Sequence, residues 1–442
     1  MASHNVHWPY QTPMDTPNLH NNHNVYILGA GFSADAGLPM IANFMSVMRT
    51  AATWYGEQGG VREHDAITKV LDYRLRAAAA AYRCPIDPDN IEDLFSLVDA
   101  EEQHRPDAAG PQRQMRLAIA ATLDHAHQIY RNDQQCLKVY LEGTDRPQAR
   151  PSWPQDPANE KHYHVPLYDA YLATMTGYFY PQVAPRRDTI ITFNYDTLVE
   201  DALSNLETPY SYGFGADAFY TKERPGGFVI YNEHDIPFLR PATGQKGVVD
   251  LLKLHGSVNW LLDYATPTEA PTQSQQRLQI FPAFSDLLTE YADPLGRIFI
   301  EPPTWRKGHN GGMASVWDSA LQALRTASRI IVMGYSMPPT DVHFRYLVAA
   351  GLRENISLQE IVFVNPAFAE EALGYKEMVS RTFQVFRPEL RDRNTIQFFG
   401  QSTKTTLVPL GIMNVIPTVE TSVFRKLNPH VGNRHSPFQG RA

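Results

Sequence analysis

The segment from Val25 to Pro39, VYILGAGFSADAGLP, constrains the fold of this chain more than any other. An apolar run ends at Gly29 and gives way to residues that read as the start of a helix. That order, strand then glycine turn then helix, is how a backbone cradles a phosphate. Gly29 and Gly31 have no Cβ, so the chain turns sharply and approaches an anion closely, and the N–H groups and positive dipole end of a following helix favour negative charge. The first expected ligand is a nucleotide, with Gly29, Ala30, Gly31, Phe32 and Ser33 forming the binding turn.

The position of the third glycine narrows the choice of nucleotide fold. An ordinary dinucleotide fingerprint would place it at position 34, but that residue is Ala34 and the next glycine is Gly37, followed by Leu38 and Pro39. The pattern GAGxSxxxGLP resembles the first motif of the sirtuin family of NAD-consuming enzymes. Three further segments follow in that family's order. TIITFNYDTLVEDAL, Thr189 to Leu203, is a β-branched strand breaking into a polar turn, and its Asn194 and Asp196 match the motif carrying an Asn and an Asp. VVDLLKLHGSVNW, Val248 to Trp260, ends an apolar strand in His-Gly-Ser, and His255 matches the catalytic histidine. SRIIVMGYSMPPTD and EIVFVNP resemble the two late strands that close over the nucleotide, where Gly334, Ser336 and Asn365 match.

Each segment also has a plainer reading. Asn194 fits a helix cap, His255 a hydrogen-bonded core histidine and Gly334 a turn glycine. Their joint placement says more: four apolar strands each end in glycine or polar residues, and in an open parallel sheet ligands bind at that edge. The expected fold class is therefore α/β, a Rossmann-like parallel sheet of the sirtuin type. A helical subdomain is expected within it at about 51–180, carried by patterns such as VREHDAITKVLDYRLRAAAAAY and ended by a Pro-rich break at 143–160.

Cysteine usage separates the chain from part of that family. Protein-deacylating sirtuins carry a structural zinc module of two Cys-x-x-Cys pairs, whereas this chain has two cysteines, Cys84 and Cys136, far apart. No cysteine-rich zinc module, and no metal, is expected. His162 and His164 read as a solvated loop pair. A second departure follows Pro39, where Ile41, Ala42, Asn43 and Phe44 replace the Phe-Arg of many deacylases. Both departures resemble the bacterial sirtuin-like antiphage defence effectors, which hydrolyse NAD. NIEDLFSLV, from Asn90, looks like a helix common in those effectors; Glu92 and Asp93 favour a helix N-terminus and receive no chemistry here.

Charge and hydropathy bound the remaining functions. A net charge of −8, from 39 basic and 47 acidic residues, argues against a broad nucleic-acid surface. No stretch approaches the roughly 20 apolar residues of a membrane helix, and the polar N-terminal segment lacks a signal peptide's regions, so the expected location is the cytoplasm without membrane contact. The expected domains are a loose segment 1–23, a sirtuin-like domain 24–395 and a C-terminal extension 396–442 whose last part is basic. Insertions at about 205–247 and 264–278 read as substrate or assembly loops.

The resemblance implies an NAD+ glycohydrolase releasing ADP-ribose and nicotinamide, with Asn194, His255 and Asp196 as catalytic residues and Gly29 to Ser33, Gly334, Ser336 and Asn365 holding the nucleotide. It further implies a gated effector of abortive infection, a homo-oligomer with an activating partner such as a HerA-type ATPase or a short Argonaute. An NAD-dependent protein deacylase and a non-catalytic sensor of NAD or ADP-ribose remain open alternatives.

Overall fold

The computed structural model describes residues 23–104, 110–133, 135–140, 153–157, 159–176, 188–214, 218–224, 227–232, 249–264, 276–290, 298–301, 311–338, 341–393 and 395–407. Its centre is a seven-stranded sheet in the order Ile396–Phe399, Glu360–Val364, Arg329–Met333, Asn24–Leu28, Asp188–Thr192, Val249–Lys253, Tyr210–Ser211. Every pairing in it is parallel. All five residues of Asn24–Leu28, Asp188–Thr192 and Arg329–Met333 are buried. A strand covered on both faces needs a continuous apolar or β-branched run rather than alternation, which is why NVYIL and RIIVM read as they do. The mixed α/β fold with a parallel Rossmann-like sheet is the class expected from the sequence.

Within the expected helical subdomain lie Phe44–Gln58, Val61–Ala81, Ile91–His104 and Gly110–Asn132. Met48, Ala51, Ala52 and Tyr55 bury one stripe of the first, at the three-to-four-residue spacing of an amphipathic helix. The subdomain is not purely helical. Cys136–Tyr140, Asn159–Pro166 and Gln155–Asp156 form a small antiparallel sheet. His162 and His164 therefore lie on a strand, not in a loop. The alternation explains it: Tyr163 and Val165 are buried while His164 between them is half-buried, the two-residue period of a pleated strand.

A second correction concerns the stretches expected as insertion loops. Ala218–Arg224, Gly227–Asn232 and Gln276–Ile280 join Gly256–Tyr264 and Ile298–Ile300 in a five-stranded sheet. Thr- and Gln-rich composition obscured these strands, because a ladder is made by backbone groups and tolerates polar side chains on an open face. The main sheet also runs beyond residue 395: Ile396–Phe399, placed by the sequence reading in the extension, pairs with Glu360–Val364 as an edge strand. Of the segment 1–23 expected to be loose, residues 1–22 lie outside the described residues, as does the tail from 408. Among the described residues no helix is long and apolar enough to cross a membrane.

Candidate functional site

All the predicted site residues lie at or just beyond the C-terminal ends of parallel strands, on one edge of the sheet. After Leu28 the chain makes one helical turn, Ala30–Ser33, then a 3-10 turn, Ala34–Ala36, ended by left-handed Gly37. The helix start expected after Gly29 is this single turn, and the first longer helix begins at Phe44. Two glycine N–H groups of the turn are bonded inside the protein, Gly29 N to Met333 O at 3.1 Å and Gly31 N to Gly334 O at 2.9 Å. The glycines have a packing reason as well: a Cβ on Gly29 would stand 2.6 Å from Tyr335 Cα, and one on Gly31 2.8 Å from Gly334 O. Ala30 is exposed on this edge, and Phe32 is fully buried, its ring against Tyr168 and Tyr171.

Asn194 is seated on this turn. Its Nδ2 donates to Gly29 O at 3.0 Å and to Ser33 Oγ at 3.0 Å. Both amide protons are thus used, and what the residue offers the sheet edge is the acceptor Oδ1. Ser33 Oγ passes the chain on to Asp196 Oδ2 at 2.8 Å, while Asp196 Oδ1 accepts from Leu198 N at 3.1 Å. Asp196 is buried, and its contacts tie the Asn-bearing turn to the glycine turn. Beneath them lies Lys253, 1% exposed, whose Nζ donates to the Asp196 carbonyl and to Glu200 Oε1 at 2.8 Å. Burial pushes the Glu200 carboxyl up, and Lys253 opposes that push.

His255 ends the neighbouring strand, Val249–Lys253, by two residues. Its ring stands 5.0 Å from Phe193 and 6.3 Å from Tyr195, the residues on either side of Asn194. Ser257 Oγ and Val258 N both bond Tyr195 O, at 3.2 and 3.0 Å, so the His-Gly-Ser turn clamps the Asn-bearing turn directly. Gly256 is required there: its φ is +82°, and a Cβ would stand 2.1 Å from Phe299 O. His255 thus lies beside the turn that carries Asn194.

Two acidic groups at this place carried no role in the sequence reading. Asp341 Oδ2 lies 3.7 Å from His255 Nε2 and accepts from Tyr335 OH at 2.7 Å. Glu92, from the NIED segment, is pushed up to about 7, first by burial and then by the charges of Asp341 and Asp93. The available signal was the pair of acidic residues in two polar segments bordering apolar runs, but nothing in the sequence says that residues 92 and 341 meet. A raised carboxyl favours the folded state most below its unfolded pKa, and that contribution fades as pH rises through 7. Glu92→Gln removes the buried charge. Its melting temperature relative to the unmodified chain should therefore climb between pH 5 and pH 8, by an amount worth about 2 kcal/mol after allowing for the side chain's partial solvent access. Parallel thermal scans at the two pH values check it; a pH-independent difference would reject a charge origin.

The late strands place the remaining three residues on the same edge. Gly334, at φ +61°, takes Val364 O through its N–H at 3.0 Å. Ser336 O accepts from Arg381 Nη1 at 3.4 Å, and Asn365 Oδ1 caps the following turn through Ala367 N at 3.0 Å. Gly31, Asn194, Gly334, Ser336 and Asn365 all stay partly accessible there. Among the described residues no three His, Cys, Asp or Glu side chains gather as a metal site. Cys84 and Cys136 are both exposed and free.

Comparison with known proteins places residues 188–378 in the family described as SIR2-like domain. No curated protein matches the chain in sequence. Similar solved structures include Sir2Tm bound to a propionylated peptide, at 14% identity over 88% of this chain and 91% of that one, with a TM-score of 0.32. A Sir2 homologue in complex with NAD is similar at 13% identity over 96% and 97%, TM-score 0.32. A complex of Sir2, a p53 peptide and NAD+ is similar at 13% over 88% and 91%, TM-score 0.33.

Proposed function

We propose that this chain, which carries a SIR2-like domain, binds NAD+ along the C-terminal edge of its parallel sheet and hydrolyses it to ADP-ribose and nicotinamide. The observation that carries the reading is the seating of Asn194, with both amide protons held by Gly29 O and Ser33 Oγ and with His255 against its two neighbours. That arrangement leaves one amide oxygen and one imidazole at a single place on the ligand-binding edge.

The chemistry follows from the bond to be broken. Nicotinamide leaves the ribose as a neutral base because the pyridinium nitrogen takes the C–N electron pair, so the leaving group needs no proton. The site must instead place a water oxygen against the anomeric carbon and remove its proton. Asn194 Oδ1 accepts a hydrogen bond from that water, and the His255 imidazole accepts the proton as the new C–O bond forms. Gly29, Ala30, Gly31 and Ser33 lie where the pyrophosphate would run, and Gly334, Ser336 and Asn365 where the adenosine end would lie. Asp196 acts by holding the Asn194 turn.

Nicotinamide release from NAD+ by the purified chain, measured with and without an acetyl-lysine peptide, tests the reading. Peptide-independent release that falls by about 10²-fold or more in His255→Ala and Asn194→Ala is the expected result. Release only with the peptide would replace it with a deacylase, and NAD+ binding without release would leave a sensor or a missing activator, which the protein that co-purifies with the chain would separate. The reading extends to a gated effector of antiphage defence that works as a homo-oligomer with an activating partner, an HerA-type ATPase or short Argonaute. It rests on the sequence resemblance, and light scattering of the purified chain checks its oligomer.

A further inference from the structure

Several places outside the proposed chemistry carry buried polar groups. The small cavity lined by Asp124, His127, Arg131, Asp196 and Thr197 has its charges already paired, His127 Nε2 and Arg131 both on Asp201. The Asp169 carboxyl is closed by Trp153 and Asn205. Beside His255 the arrangement differs, because a fixed carboxylate there faces the imidazole across a short gap.

Resting on the hydrolase reading above, we propose that Asp341 is the positioning residue of His255, orienting the imidazole through Nε2 and stabilising the imidazolium that forms when it takes a proton. Asp341 is 5% exposed and fixed from two sides. Tyr335 OH donates to its Oδ2 at 2.7 Å, and its Oδ1 caps the helix Val342–Leu352 through Phe344 N at 3.3 Å. Tyr335 is itself stacked on Phe193 at 4.6 Å, and Phe193 meets the His255 ring edge to face. The carboxylate is thus rigidly built into the wall around the ring. At 3.7 Å the pair is beyond hydrogen-bond length, and a shift of about 0.8 Å brings Nε2 into range; such bonds commonly tighten when substrate closes a site. A base oriented by a third group is the general logic of an activated nucleophile.

The surrounding charges fit this role. Glu92, from the helix Ile91–His104, and Asp341 both push the Tyr335 and Tyr195 hydroxyls well above their ordinary value, after burial itself. Asp93 follows Glu92 on that helix, Glu301 adds negative charge at Tyr195, and Arg116 opposes it from the helix Gly110–Asn132.

The test uses Asp341→Asn, which keeps an N-cap acceptor for Phe344 N but drops the charge and puts a donor NH2 where Oδ2 accepts from Tyr335 OH. Histidine-labelled protein, with the resonance assigned through His255→Gln, gives the imidazole titration by NMR. The expected result is a pKa lowered by roughly one unit in Asp341→Asn, with kcat for NAD+ cleavage down about tenfold and KM within about twofold. Tyr335→Phe keeps the charge and frees the carboxylate, and should lower kcat with a smaller shift. An imidazole that titrates in Asp341→Asn as in the unmodified chain overturns the proposal, as does unchanged kcat. If the unmodified chain by itself leaves NAD+ intact, the titration alone decides the pair.

Discussion

Lys253→Ala should cost about 3–5 kcal/mol of folding stability, the range measured when one partner of a buried ion pair is removed. Lys253 is 1% exposed and Glu200 5%, and their contact at 2.8 Å is reinforced by Tyr212 OH on the same Glu200 oxygen at 3.0 Å. Taking away the ammonium strands the carboxylate and also leaves the Asp196 carbonyl without its donor. Because burial already pushes the Glu200 carboxyl up, the stranded group will escape by taking a proton, so the loss should shrink as pH falls. Urea unfolding of Lys253→Ala and of the double variant Lys253→Met/Glu200→Leu at pH 5 and 8 measures this. The double variant should regain much of the loss. A single-variant cost under about 1 kcal/mol would show that the pair contributes no more than a surface ion pair.

Gly334→Ala should destabilise even more severely, by about 4 kcal/mol or beyond, which is the range of changes that clash with fixed backbone. A Cβ at Gly334 would stand 2.2 Å from Phe32 N and 2.3 Å from Gly31 C, and the residue sits at φ +61°. Nothing flexible lies in the way to yield. Gly37 supplies the control: its φ is +75°, yet no atom lies within 4 Å of the added Cβ. Gly37→Ala should therefore cost only the left-handed backbone preference, about 1–2 kcal/mol. Melting temperatures of the two variants separate close approach from backbone conformation, and equal losses would mean that the contact with Phe32 and Gly31 counts for little.

Much of the central sheet was legible because its buried strands are apolar runs that stop at glycine or polar residues. Val25 to Leu28, Ile190 to Thr192 and Ile330 to Met333 announce themselves this way, and the residues after each of them reached the site. Less was readable where backbone pairing rather than side-chain pattern makes the structure. Gln276–Ile280 and Ala218–Arg224 carry Gln, Thr, Lys and Glu, and only their neighbours make them strands. Asp341 and Glu92 were missed for a different reason. Each has a sufficient local explanation, as a helix cap and as a first-turn acid, and their meeting near His255 depends on the packing of helices distant in sequence. The glycines show the reverse case: the sequence marks Gly29 and Gly31 for a ligand, and the structure shows a packing demand on them from Gly334 and Tyr335 that no local pattern reveals.

The sheet order has a bearing on the chain's birth. Asn24–Leu28 is flanked by Asp188–Thr192 and Arg329–Met333, and Ser328 Oγ bonds His23 O across 305 residues. During synthesis the glycine turn has no late strand to lie against until the 305 residues that separate His23 from Ser328 have been added. Loop closure over such a span is slow, and the parallel pairing it requires forms late. A product that stops before Arg329 keeps the adjoining strands that carry Gly29, Asn194 and His255, but lacks Gly334 against the glycine turn and Asp341 beside the histidine. The candidate edge is therefore closed last, by Arg329–Met333 and the residues that follow it.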